Sequence, residues 1–190
     1  MRASSWEMLL RAPPPPKPVG RQEGPSDACL AAARAENGPP VDPSPDKSLA
    51  LRSLRPEDHP AVLRLWEEAG LDVRPRGRDG PKAFAAQLRA PNSHYLGAFR
   101  GEELVGAVLA NHTGRKGWIN RLAVAPQERR RGVARRLVRT AEEALRADGI
   151  EVVAALAQRD NAASLALFES LGYVVHPEVV YLSRRERPEA

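Results

Sequence analysis

Residues 118–145 hold the feature that most restricts this chain: an apolar strand runs through one proline and a cluster of arginines into an amphipathic helix. Trp118–Val124 is β-branched, aromatic and apolar enough for a buried strand. Pro126 cannot continue a strand ladder, so the strand ends there. From Val133 onward, Val133, Leu137, Val138, Ala141, Ala144 and Leu145 fall at helical spacing. Gly132 stands at the turn into that helix, where a residue without Cβ lets a ligand approach the backbone. A helix start offers unpaired N–H groups and the positive end of the macrodipole. Here Arg129, Arg130, Arg131, Arg135 and Arg136 surround it, and a guanidinium grips phosphate with a planar fork. The ligand this arrangement suits is a pyrophosphate. The glycines are too few for the dinucleotide fingerprint, and no G-x-x-x-x-G-K-[ST] is present. Taken by itself, the stretch also fits a solvated basic helix face.

Composition divides the chain in two. Residues 1–47 carry ten of the 18 prolines, with Pro13–Pro16 consecutive, and predict a disordered Pro/Ala-rich extension. Their first apolar run is too short for a secretory signal, and Glu7, Glu23 and Asp27 argue against a transit peptide. Basic and acidic residues balance in this extension, so the net charge of +5 belongs to residues 48–190. No apolar run is long enough to span a membrane. Cys29 is the single cysteine, which excludes an internal disulfide and fits a cytoplasmic location.

Residues 48–190 predict one folded domain of mixed α/β class. Ser48–Leu54 reads as a strand, Pro56–Ala69 as a helix stopped by Gly70, and Val73–Gly80 as an Arg- and Gly-rich loop. Pro81 opens a second helix running to about Arg89. Tyr95–Arg100, Leu104–Asn111 and Trp118–Val124 follow as strands with short turns, which imply antiparallel hairpins. The helix after Gly132 ends at Gly149, and Ile150–Leu156 reads as a strand parallel to Trp118–Val124. Asn161–Leu171 is the last predicted helix, with Gly172 at the left-handed capping position. Tyr173–Val175 and Val179–Ser183 are expected to close the sheet.

Two segments carry a resemblance. Arg129-Arg130-Arg131-Gly132-Val133-Ala134 resembles the Q/R-x-x-G-x-G/A coenzyme A signature of the GNAT superfamily of N-acetyltransferases, and Leu122-Ala123-Val124 with Pro126 precedes it as in that family. The run from Asn161 through Ala162, Ser164, Phe168 and Glu169 to Gly172-Tyr173 is similar to the family's second diagnostic segment. The resemblance implies a twisted mixed sheet of about 6–7 strands flanked by about four helices, with coenzyme A between two splayed parallel strands. It assigns the backbone of Leu122 and Val124 to the pantetheine. It assigns the backbone from Arg130 through Gly132 and Val133 to Ala134, with the side chains of Arg129, Arg130 and Arg131, to the pyrophosphate. Asn161 would bond the pantetheine, cap its helix, or both, with Ser164 sharing the cap.

The catalytic residues are not legible. Many family members place a proton-donating tyrosine where this chain has Phe168, which has no proton to give and is expected to pack. Family members often keep a glutamate on the strand of Leu122 and Val124; here that strand offers Trp118, Asn120 and Arg121. His94, Glu103, His112 and Asp160 remain as candidate bases, and Tyr173 and Tyr181 as candidate donors. The resemblance implies transfer of an acetyl group from acetyl-CoA to a primary amine by direct attack. Four scattered histidines and one cysteine suggest no metal site. The implied partners are acetyl-CoA and an unidentified amine acceptor, with a homodimer as an option. Two alternatives compete: a CoA-binding regulatory protein without catalysis, and a basic nucleic-acid-binding module. The second is disfavoured because aromatics make up only 5% and the charges gather at one helix start. Arg74, Arg76, Arg78, Arg115, Lys116 and Arg121 hint at an acidic acceptor.

A chain shortened to begin at Lys47 is expected to keep its melting temperature and its affinity for CoA, by thermal melt and calorimetry. A large loss of either would show that the extension packs on the domain.

Overall fold

The computed structural model describes residues 48–184 and residue 186, so the expectation for residues 1–47 lies outside the described residues. The elements run β1 (Leu49–Ser53), a 3-10 turn (Pro56–Asp58), α1 (His59–Ala69), α2 (Pro81–Arg89), β2 (Ser93–Arg100), β3 (Glu103–His112) and β4 (Gly117–Val124). A second 3-10 turn (Pro126–Glu128), α3 (Val133–Ala147), β5 (Val153–Ala155) and α4 (Ala162–Ser170) follow. The five strands lie side by side in chain order. β1 through β4 are antiparallel neighbours, and β5 joins β4 in parallel. Tight turns suffice for the antiparallel steps, whereas the parallel step needs the α3 crossover.

Local chemistry sets the boundaries. Gly70 ends α1 in the left-handed conformation (φ 84°), its N–H returning to the last turn of the helix. Pro81 sits at the start of α2, where its missing N–H costs nothing. α3 buries Val133, Leu137, Val138, Ala141 and Leu145 along one stripe and leaves its arginines outside that stripe.

The sheet separates two apolar clusters. One face packs Leu96, Ala98, Val108 and Ile119 against α3, with Phe168, Leu171 and Tyr173 beside it. The other packs Tyr95, Phe99, Ala107 and Leu109 against Val62, Leu65 and Trp66 of α1 and Phe84 of α2. Leu137 and Leu145 have no exposed surface, and burying such a side chain contributes ~1.5–3 kcal/mol. Two glycines make that seat. A Cβ on Gly106 would lie 2.9 Å from Leu137 Cδ1 and 3.0 Å from Val133 Cγ1, and one on Gly117 would lie 2.8 Å from Leu145 Cδ1. The helix rests directly on strand backbone at both ends. At its far end Asp148 accepts from His94 Nε2 (2.5 Å) and lies 3.2 Å from His112 Nε2. The bond from His94 holds the Asp148 carboxyl below the usual range.

The mixed α/β class, the four α-helices and the parallel β4–β5 pair match expectation. The strand count does not: among the described residues the sheet has five strands, and β5 covers only Val153–Ala155 of the predicted Ile150–Leu156. Tyr173–Val175 and Val179–Ser183 form no strands. Val174, Val179, Val180, Tyr181 and Leu182 are exposed. β-branched runs favour a strand only where a neighbouring strand and a covered face receive them, and these side chains have neither.

Gly106→Val should destabilise the protein by ~1–3 kcal/mol in urea unfolding, because the added side chain must push α3 off the sheet. Valine is the better strand former, so unchanged or raised stability would contradict the close seat of α3.

Candidate active site

The site starts where β4 leaves β5. The two strands pair only over Gly117–Ile119 and Val153–Ala155, so β4 has no β5 partner from Asn120 onward. A bulge coincides with the parting. Ala107 pairs with Ala123 and Leu109 with Asn120, so Arg121 and Leu122 together oppose Val108. Arg121 takes φ 52°, the left-handed region. Beyond the bulge, Ala125 N–H donates to Val105 O across the β3 side (2.9 Å). Strand alternation then turns the backbone groups of Leu122 and Val124 toward the gap that β5 vacates.

The gap leads into the arginine turn. Arg130 (φ 64°) and Gly132 (φ 78°) are both left-handed and bracket Arg131. Alternating left-handed residues turn successive N–H groups inward to form a cradle for an anion. The first α3 hydrogen bond is Arg136 N–H to Gly132 O (3.0 Å), so the N–H groups of Val133, Ala134 and Arg135 precede the helical ladder. The arginines divide by use. Arg135 donates to Ser170 Oγ (2.8 Å) and Arg136 to Leu49 O (3.1 Å), which ties both to the fold. Arg129 reaches Val124 O and Ala69 O, each at 3.4 Å. Arg131 meets Glu128 at 3.3 Å and is largely exposed. Arg130 has no hydrogen bond or ion pair among the described residues. The cradle, with the Arg130 guanidinium and the weakly paired Arg131 guanidinium beside it, fits a pyrophosphate.

α4 lies beside α3, through Phe168 and Leu171 on the same apolar cluster and through the Arg135–Ser170 bond. Asn161 caps it, its side-chain oxygen accepting from Ser164 N–H at 3.0 Å. The capping role read from the sequence is therefore present, with Ser164 supplying its backbone N–H. Phe168 packs edge-on against Tyr173, ring centroids 5.0 Å apart. Tyr173 donates its hydroxyl to Glu142 Oε1 (2.7 Å). Burial, and then that bond, push its pKa up, so it is a poor proton donor as it stands.

The loop after α1 is tied to β4 through groups that composition did not reveal. Arg121 stacks 4.0 Å over the Trp66 ring, donates to Asp72 O (2.9 Å) and pairs with Asp79 (2.7 Å). Asp79 is buried, accepts from Arg74 N–H (2.8 Å) and lies 3.5 Å from Arg78 Nε. Arg74 and Arg78 also pair with Asp72. The basic loop is thus substantially neutralised from within. Its one sequence signal was an arginine interrupting an apolar strand. Glu128 gave no sequence signal, yet it is buried and paired to Arg100 at 2.8 Å. His94 and His112 gather at Asp148, beside the C-terminus of α3. That helix has 15 residues and is ~22 Å long, so they stand far from the arginine turn. Glu103 and Asp160 are exposed, at the start of β3 and in the turn before α4. Among the described residues no cluster of three or more histidine, cysteine or acidic side chains is arranged for a metal, and no helix is long and apolar enough to cross a membrane.

A strand pair that opens over an anion cradle at a helix start defines a class. The family described as Acetyltransferase (GNAT) matches residues 51–173, and the chain belongs to it. Its class is that of an acetyltransferase. The chain is similar to Acetyltransferase SG1711 of Sodalis glossinidius, at 29% identity over 137 residues, covering 72% of this chain and 95% of that protein. Its fold resembles the PaiA N-acetyltransferase of Thermoplasma acidophilum solved with coenzyme A, with TM-score 0.61, 18% identity, and 68% of this chain and 91% of that one covered. It likewise resembles the aminoglycoside antibiotic 6'-N-acetyltransferase AAC(6')-IG of Acinetobacter haemolyticus, with TM-score 0.61, 22% identity, and 73% and 99% covered.

The two left-handed residues of the turn should respond oppositely to substitution. Gly132→Val forces a β-branched residue to φ 78° and should cost ~1–3 kcal/mol in denaturant unfolding. Arg130→Gly relieves a strained residue while loosening the unfolded chain, and should stay within ~1 kcal/mol of wild type. Equal losses from both would contradict this backbone conformation.

Proposed function

We propose that the protein moves an acetyl group from acetyl-CoA to a primary amine of a small molecule or peptide. The observation that carries this is the continuity between the open edge of β4 and the anion cradle at α3, in a chain of the acetyltransferase family. The coenzyme A in the Thermoplasma neighbour supports the donor. The aminoglycoside acetyltransferase neighbour supports an amine acceptor.

Bound in this site, acetyl-CoA would supply an activated acyl group, and the chain's own residues would hold and orient it. The backbone of Leu122 and Val124 would hold the pantetheine, with Asn161 alongside. The N–H groups from Arg130 to Ala134 and the guanidinium groups of Arg129, Arg130 and Arg131 would hold the pyrophosphate. The Val124 N–H would polarise the thioester carbonyl. The acceptor nitrogen must attack as the neutral amine. Cys29 is the only cysteine, and no Ser/His/Asp arrangement is recognisable among the described residues, so the reading is direct attack without an acyl-enzyme. With Phe168 at the usual donor position and Tyr173 committed to Glu142, the proton for the departing thiolate comes from water or from the attacking nitrogen. The internal pairing of Arg74, Arg78 and Arg121 with Asp72 and Asp79 weighs against an acceptor chosen for its negative charge.

The test is thiol release from acetyl-CoA over a panel of primary amines. With a confirmed acceptor, Phe168→Tyr should turn over as wild type does or faster. Phe168→Ala should lose rate and stability, the latter by less than the ~3–5 kcal/mol of a fully buried ring. Should the alanine variant match wild type in both, the ring neither packs nor shapes the site. Tight CoA binding with no turnover on any amine would favour the regulatory alternative.

A further inference from the structure

We infer that Glu128 is a positioning residue that sets the aim of Arg131 at the anion cradle; this rests on the CoA reading above. Glu128 ends the 3-10 turn between β4 and the arginine run and is only 7% exposed. A carboxylate here is costly twice over: it loses water, and it repels the anion that the cradle is built to receive. Its bonds show what offsets that cost. Oε2 accepts from Arg100 Nε (2.8 Å), and Arg100 Nη2 lies at 2.8 Å as well. Arg100 is itself held by Ser48 Oγ (2.5 Å). The carboxylate is thus anchored to the end of β2 by one oxygen, and its other oxygen, Oε1, accepts from Arg131 Nη1 at 3.3 Å.

The two contacts differ in kind. Arg100 is 23% exposed and makes a short, fork-like contact, whereas Arg131 is 59% exposed and makes a single long one. The first fixes Glu128; the second restricts Arg131 without trapping it. Arg131 lies between the two left-handed residues whose backbone forms the cradle. A free arginine at that point would lose its rotamer freedom on binding phosphate, and a prior tether reduces that loss. The bond uses one guanidinium nitrogen, so Nη1 can stay on Glu128 while the remaining N–H donors of Arg131 meet phosphate.

A double-mutant cycle tests this, reading CoA affinity by calorimetry and stability by thermal melt on wild type, Glu128→Gln, Arg131→Ala and the double variant. Glutamine is isosteric and Arg131 is a surface residue, so both single variants should fold. Each should weaken CoA binding by ~3- to 10-fold. The double variant should bind no more weakly than Arg131→Ala, while the melting-temperature losses add. CoA binding by Glu128→Gln that is unchanged or tighter would overturn the inference, since the carboxylate would then be only a repelling charge. Affinity losses that add in full would also overturn it, since Glu128 would then act through the fold and not through Arg131. Failure of wild type to bind CoA is distinguishable from both results and would remove the CoA reading itself, and this inference with it.

Discussion

The parting of β4 from β5 after Ile119 is the constraint on which the rest of the molecule depends. A parallel ladder satisfies backbone groups on both strands, and ending it leaves the edge of β4 from Asn120 to Val124 without a strand partner. The bulge at Arg121 and Leu122 bends β4 where the ladder ends. The left-handed backbone of Arg121 is held by a guanidinium stacked on Trp66, hydrogen-bonded to Asp72 O and ion-paired with Asp79. The strain of that residue is therefore carried by a network reaching into the α1 side of the core. On the other face, Gly106 and Gly117 let α3 press against β3 and β4, which brings the helix start up beside the opened edge. Gap and cradle thus have separate structural causes that converge at one place.

Charge follows the same division of labour. Residues 48–190 carry the whole net charge of +5, yet most of the arginines near the gap are used locally. Arg121, Arg74 and Arg78 share two aspartates, while Arg135 and Arg136 tie α3 to α4 and β1. What remains for an anion is concentrated at Arg130 and Arg131 and at the backbone N–H groups behind them. A basic isoelectric point is thus a poor guide to ligand charge in this chain, because acidic neighbours decide which guanidinium groups remain available.

Much of this was legible in the sequence. The 3.6-residue period of Val133, Leu137, Val138, Ala141 and Leu145 located α3 and its buried face. Gly70, Pro81, Asn161 and Gly172 marked element ends through their own backbone and capping chemistry. The strands after Leu171 were misread because local β-propensity carries no information on whether an adjacent strand awaits them. Arg121 and Glu128 escaped for a different reason. A charged residue is presumed solvated unless its partners are known, and Asp79 lies 42 positions from Arg121 while Arg100 lies 28 from Glu128. The catalytic proton path was not legible because the usual tyrosine position holds Phe168, and of the four candidate bases His94 and His112 are drawn to Asp148 while Glu103 and Asp160 are exposed.

The most direct test is amide hydrogen exchange on the intact protein with and without CoA. The gap and the cradle should respond together: exchange should slow at the amides of residues 122–124 and 130–135 and stay unchanged in β1, β2 and the far end of α3. Protection confined to other segments, or none at saturating CoA, would contradict the assignment of the opened β4 edge and the arginine turn as one binding site.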